Sequence, residues 1–297
     1  MPAKSSGRVT ANSALGPALQ AWESYLYDQG RSPNTVKAFL SDVRLLTQFL
    51  PPDQSVGSVS TRDLERFFRW MEKERDVPCS PKTLARRITA TKSFFRWLTK
   101  YGALSTDPAE KVVQRSAISP LPQVLSDDEV SLALSAAERH RRDAKPDARS
   151  YMLLSLLLAT GIKKSECLGI HINHIDVHAA SGAQVFIRYA SPANRYKERK
   201  LELPEDWISG YTEYLQQYKP VDQLFPWSPR RLEYLLEDIG EEAGIKKHVS
   251  FDMCRWTCAL RDFQDGAEPD RVRQKMGVSK IQWREIHLKL RQLADLA

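Results

Sequence analysis

Phe251-Asp252-Met253-Cys254-Arg255-Trp256-Thr257-Cys258-Ala259-Leu260 reads as a helix that opens on the frame Asp252-x-x-Arg255. Two shorter segments belong with it, Ala159-Thr160-Gly161-Ile162-Lys163-Lys164-Ser165-Glu166 before it and Met276-Gly277-Val278-Ser279 after it. The pattern around them is helical from Trp207 through Leu232-Glu233-Tyr234-Leu235-Leu236, and helical again to the C-terminus.

At 297 residues the chain is long enough for two domains, each with its own core. Hydrophobic residues make up 42% and charged residues 27%, which excludes a mostly disordered chain. No apolar run approaches the roughly 18 residues of a membrane span, and the start, Met1 to Gly7, leads into no signal-peptide core. A cytoplasmic protein is expected. Cys79, Cys167, Cys254 and Cys258 have no disulfide-framework spacing and are read as reduced thiols. His171, His174 and His178 fit neither a zinc helix motif nor a closed ligand set, so no metal and no cofactor is expected.

The net charge of +7 is unevenly spread. Residues 1–120 carry 18 Lys and Arg against 11 Asp and Glu, whereas residues 121–297 carry 26 of each. A basic domain beside a neutral one suits a polyanion held mainly by the first, because neutralising phosphates drives non-specific nucleic-acid binding.

Residues 1–12 are small, polar and aperiodic, and are expected to form a disordered arm. A first helix starts near Leu15. A second follows Ser32 as cap and Pro33 at the first helical position, with Val36, Phe39, Leu40, Val43 and Leu46 inward until Pro51-Pro52 stops it. A third runs from Thr61 with Ser60 and Asp63 as a capping box. The start signal repeats at Ser80-Pro81-Lys82-Thr83, and Leu84, Ile88, Thr91, Phe95 and Leu98 mark the inward face of a fourth helix. Lys82, Arg86, Arg87, Lys92, Arg96 and Lys100 fall largely off that face, so a cation-rich surface is expected there, suited to DNA. Residues 113–124, with Pro120 and Pro122, read as a linker between domains at 13–112 and 125–297. The second domain opens on a capped acidic start at Ser126-Asp127-Asp128-Glu129. It continues through an apolar helix, Tyr151 to Thr160, ended by Gly161. Gln184–Tyr189 and Arg199–Leu203 alternate as a hairpin around Ala193-Asn194-Arg195-Tyr196-Lys197.

Thr160-Gly161-x-Lys163-x-Ser165-Glu166, the arm Lys197-Glu198-Arg199, and Arg255-Trp256-Thr257-x-Ala259 together resemble the tyrosine recombinases, the phage-integrase family. The resemblance spans about residues 15–297. It implies a mainly α fold with a small β-hairpin sheet: an N-terminal helical core-binding bundle, SAM-like, and a C-terminal recombinase catalytic-type domain. It also implies double-stranded DNA as partner, with Lys164 and Lys197 as further DNA-facing cations beside those of the fourth helix.

That family's reaction uses a tyrosine to attack a phosphodiester, arginines and histidines to hold its oxygens, and a hairpin lysine to protonate the leaving oxygen. By the motif frames the first arginine falls on Lys163, the hairpin lysine on Asn194, the histidine of His-x-x-Arg on Asp252 and the next histidine on Val278. The tyrosine falls on His287. Only Arg255 keeps the family identity. Lys163 keeps charge but lacks the planar fork, Asn194 is no proton donor unless Arg195 or Lys197 takes its place, and Asp252 repels phosphate. The resemblance therefore implies a DNA-binding protein of recombinase fold that has lost strand cleavage and serves as an architectural or regulatory subunit, beside an active recombinase or by self-association on DNA. The alternatives are a divergent recombinase using His287 or an active partner subunit, and a protein-interaction scaffold that binds no DNA.

Overall fold

The computed structural model describes residues 9–114, 120–180 and 182–296. The chain divides into two compact units, Met1–Pro120 and Leu121–Ala297. The first holds α1 (Leu15–Asp28), α2 (Pro33–Phe49), α3 (Thr61–Arg69) and α4 (Pro81–Lys100). Both Ser-Pro starts fold as expected: Ser32 Oγ accepts the Thr35 N–H and Ser80 Oγ the Thr83 N–H, with proline where no donor is needed. Ser60 and Asp63 close a reciprocal capping box on α3. Trp22 anchors the core of this unit, stacked on Phe39 and edge-on to Phe94 at 5.2 Å between ring centroids.

Two expectations need correction here. Of the arm placed at 1–12, residues 1–8 lie outside the described residues, but Thr10 to Ser13 are held. The Ala11 carbonyl accepts the Gly57 N–H at 2.8 Å, and the Ser13 carbonyl accepts the Val56 N–H at 2.9 Å. Backbone pairing with a distant turn orders a stretch whose composition carries no period.

The second correction concerns the basic face of α4. Arg86 and Arg87 do not simply point to solvent: both pair with Asp42 of α2, whose side chain is only 3% exposed. The Arg87 side chain is itself 13% exposed, its Nη1 lying against Met71 Sδ and Cys79 Sγ. A buried carboxylate needs a buried counter-charge, and helix periodicity does not reveal where the carboxylate sits. Lys82, Arg96 and Lys100 remain exposed, while Lys92 is half-buried and donates to the Glu110 carbonyl.

The second unit holds α5 (Asp127–Arg142), α6 (Arg149–Thr160), α7 (Lys164–Leu168), β1 (Ile175–Asp176), β2 (Gln184–Ile187), β3 (Arg199–Glu202), α8 (Glu205–Tyr218), α9 (Pro229–Glu242), α10 (Phe251–Gln264), α11 (Pro269–Lys275) and α12 (Lys280–Ala294). Of the linker placed at 113–124, residues 115–119 lie outside the described residues. The core is built around α6, which packs against α5, α8, α9 and α10 and buries Met152, Leu153, Leu154, Leu156 and Leu157 completely. A helix apolar on every side must be enclosed, and each such leucine contributes about 1.5–3 kcal/mol relative to exposure. Gly161 ends α6 with φ +59, and a Cβ there would come within 3.2 Å of Cys258 Sγ on α10. This glycine lets the chain turn directly beneath α10, which sets where Lys163 emerges.

The strands form one antiparallel sheet in the order β1-β2-β3, with Ile175 opposite Val185 and Val185 opposite Leu201. The expected hairpin is present. Its first strand ends at Ile187, because the Tyr189 N–H is taken by the Glu198 carboxylate at 3.0 Å instead of a ladder carbonyl. Residues Pro192–Lys197 form a 3-10 turn. A separate apolar cluster of Ala259, Leu260, Val272, Met276, Val278, Leu290 and Leu293 fixes α11 and α12 on the far end of α10.

Candidate functional site

The site is assembled around Glu166, a carboxylate 1% exposed on α7. Arg199 of β3 grips it with both terminal nitrogens, Nη1 to Oε1 at 3.1 Å and Nη2 to Oε2 at 3.0 Å. The Lys163 N–H donates to Oε2 at 2.9 Å, and the Tyr189 hydroxyl donates to Oε1. Burial alone would raise the pKa of Glu166, but Arg199 and the other donors outweigh it and hold the carboxyl below its ordinary value.

Lys197, Arg199 and Arg255 all lie within electrostatic reach of Lys163. Four cations against one buried carboxylate leave an excess of positive charge, the electrostatic requirement for holding an anion. Burial pushes the Lys163 ammonium down to about 8; Glu166 opposes that, and the neighbouring Arg255, Lys197 and Arg199 add to it. The Tyr189 phenol is pushed up to about 12 by burial and by its bond to Glu166.

Three of these cations close on one turn. Arg199 Nε donates to the Lys275 carbonyl at 2.7 Å, Arg255 Nη2 to the Met276 carbonyl at 2.6 Å, and Lys163 Nζ to the Gly277 carbonyl at 3.0 Å. Arg255 also donates through Nη1 to the Gly161 carbonyl. These carbonyls include the end of α11, where helical acceptors have no intrahelical partner. Gly277 has φ +59, and a Cβ there would stand 2.5 Å from Arg199 Nη1, so only glycine admits this approach.

The residues singled out from sequence are divided by the structure. Lys163 and Arg255 come together. Asp252 is exposed on the first turn of α10 and acts electrostatically on Arg255. Asn194 sits in the 3-10 turn, where its Oδ1 accepts from Lys197 Nζ at 3.0 Å; of Arg195 and Lys197, Lys197 is the one that acts on Lys163. Val278 is buried in the apolar cluster, its carbonyl accepting from Arg273. Lys164 pairs with Glu233 of α9 at 2.6 Å. The His287 ring packs against Trp283 at 5.5 Å and Phe263 at 5.7 Å. Phe263 follows Arg255 on α10 by eight residues, about 12 Å along the helix axis. Among the described residues, no group of three or more His, Cys, Asp or Glu is placed to hold a metal ion.

Sequence reasoning missed Tyr189, Lys275 and the central part played by Glu166 and Arg199. The last two lie within the recognisable motifs, and the signal was that a glutamate in an otherwise apolar surrounding needs a cationic partner.

Residues 123–287 match the phage integrase family model, and residues 19–102 match its N-terminal SAM-like domain. The chain belongs to the phage integrase family. Among curated relatives, it is 34% identical over 163 residues to the tyrosine recombinase XerC of Mycobacterium sp. (strain JLS) and 36% identical over 160 residues to that of Mycobacterium tuberculosis (strain CDC 1551 / Oshkosh). Each match covers 53% of this chain and 53% of the relative, so the chain spans about half the length of the curated relatives it matches. The XerH site-specific recombinase bound to palindromic difH substrate, a post-cleavage complex, superposes with a TM-score of 0.73 at 18% identity, covering 92% of this chain and 83% of that one. A lambda integrase dimer bound to a COC′ core site gives 0.71 at 12% identity, covering 92% and 77%. At these identities the likeness establishes the integrase fold. No helix among the described residues is long and apolar enough to cross a membrane.

Proposed function

We propose that this integrase-family chain binds double-stranded DNA without cleaving it, as an architectural or regulatory subunit acting beside an active recombinase or with further copies of itself. The observation that carries the loss of cleavage is the position of His287. It stands where the family frame calls for the attacking tyrosine, yet it is an imidazole whose ring is packed against Trp283 and Phe263. The supporting groups point the same way. Asp252 places a negative charge beside Arg255, Val278 is an apolar core residue, and Asn194 offers no titratable proton. Each lost electrostatic contact in such a site typically costs on the order of 10²–10³ in rate. Tyr189 is no substitute, since its proton is committed to Glu166.

DNA binding is supported by the exposed Lys82, Arg96 and Lys100, by the charge excess in residues 1–120, and by the cations clustered about Glu166. The named relatives are tyrosine recombinases, and the two structural neighbours described are recombinase and integrase complexes with DNA substrates. They favour the competing reading of an active, divergent recombinase.

Two measurements separate these readings. Duplex affinity followed by fluorescence anisotropy should fall steeply and linearly in log–log form as salt rises; an affinity of zero would leave the interaction scaffold. A nicked suicide duplex, which traps cleaving enzymes covalently, should yield no adduct with the native chain or with His287→Tyr. The smallest set with a prospect of restoring cleavage is His287→Tyr with Lys163→Arg, Asn194→Lys, Asp252→His and Val278→His, because residues acting as a unit do not contribute independently. An adduct of the native chain, mapped to His287 by digestion and mass analysis, would overturn the non-cleaving assignment.

A further inference from the structure

Tyr196 lies in the turn that joins β2 to β3, and it is 69% exposed. The turn beneath it is braced. Pro192 sets its start, the Asn194 N–H donates to the Ser191 carbonyl at 3.0 Å, and the Glu198 N–H donates to the Arg195 carbonyl at 2.9 Å. Lys197 Nζ stands 5.1 Å from the centre of the Tyr196 ring and donates to Asn194 Oδ1 at 3.0 Å. A ring with two side-chain torsions on such a base loses little freedom when a ligand stacks on it.

The charges around the ring indicate what that ligand is. Arg195 beside it is exposed, and Lys197 lies within electrostatic reach of Lys163, in the cation cluster about Glu166. A phosphate drawn to these cations brings the base of its own nucleotide toward an aromatic face. In an intact duplex, each internal base already has a neighbour on both faces. Opening a base step costs about as much as one base–aromatic stack returns, so a single ring gains little there. A base without a pairing partner is the least costly to take out of the stack.

We propose that Tyr196 is a stacking platform for an unpaired base, so that the preferred ligand of this chain is duplex DNA interrupted by one. The platform rests on the DNA-binding function proposed above and adds to it a preference among DNA structures. The ring acts rather than the hydroxyl, and Arg195 and Lys197 supply charge for the backbone of the stacked nucleotide.

The full chain is titrated by fluorescence anisotropy against a duplex and against the same duplex carrying a single-base bulge, moved in steps along the sequence. At the best position the bulged duplex is expected to bind about tenfold more tightly, within the range of one base–aromatic stack. Tyr196→Ala should bind both duplexes alike while keeping its affinity for the intact one, and Tyr196→Phe should retain the preference. A fluorescent adenine analogue placed as the bulged base should be quenched by the native chain and not by Tyr196→Ala. Binding of the intact duplex with no preference for the bulge overturns the platform and leaves the DNA-binding function standing. A preference that survives Tyr196→Ala also overturns it, since the flexibility of the bulged duplex then accounts for the difference. Binding to neither duplex overturns both.

Discussion

Glu166→Gln is expected to lower the unfolding free energy of the C-terminal unit by about 3–5 kcal/mol, the usual cost of removing one partner of a buried ion pair. The carboxylate is 1% exposed and takes donors from Arg199, Tyr189 and the Lys163 N–H. Glutamine keeps the shape but turns an amide N–H₂ toward a guanidinium that has only donors, leaving the charge of Arg199, whose side chain is only 10% exposed, without its carboxylate. The pH dependence has a definite sign. Because the folded-state pKa of Glu166 lies below its ordinary 4.5, its contribution is fully present above that value and is lost as pH falls through the folded-state value. Urea unfolding of native and variant chains should therefore differ most at neutral pH and converge in acid. A pH-independent gap, or one below about 1 kcal/mol, would show that the carboxylate is not the keystone of the site.

The second large effect belongs to the N-terminal unit. Arg87→Glu should cost at least about 3–5 kcal/mol, because it replaces the better-buried partner of Asp42 with a second carboxylate. Burial already raises the pKa of Asp42, with Arg86 and Arg87 pulling it down only in part. Arg86, whose side chain is 42% exposed, cannot by itself neutralise two buried acids. Charge reversal at Lys82, Arg96 and Lys100 should by contrast change stability by no more than about 0.5 kcal/mol, while weakening duplex affinity and lowering its salt slope. Circular dichroism melts paired with anisotropy titrations read both quantities on the same samples. Unfolding of the Lys82, Arg96 and Lys100 variants, or an unaltered salt slope, would place the DNA-facing surface elsewhere.

The same contrast between local and distant partners separates what is legible in the sequence from what is not. Ser32-Pro33, Ser80-Pro81, the Ser60 and Asp63 box and the Gly161 stop are each decided within a few residues. The side chain that caps and the backbone it caps are near neighbours, so composition and spacing suffice. The integrase motifs are legible for the same reason, being short frames that keep their spacing even where, at Lys163, Asp252 and Val278, the residue type departs from the family pattern.

The partners of buried charge are not legible, because they are far apart along the chain. Arg86 meets Asp42 across 44 residues, Arg199 meets Glu166 across 33, and Lys163 meets the Gly277 carbonyl across 114. Periodicity shows that α4 carries cations off its apolar stripe, but whether a given cation faces water or a buried carboxylate depends on what α2 presents to it. His287 shows the limit most directly. That no tyrosine occupies that position is a property of the sequence. That its ring packs on Phe263, far along α10 from Arg255, is a property of the packed helices, because a helix fixes the spacing of its own residues and packing fixes which of them a second helix meets.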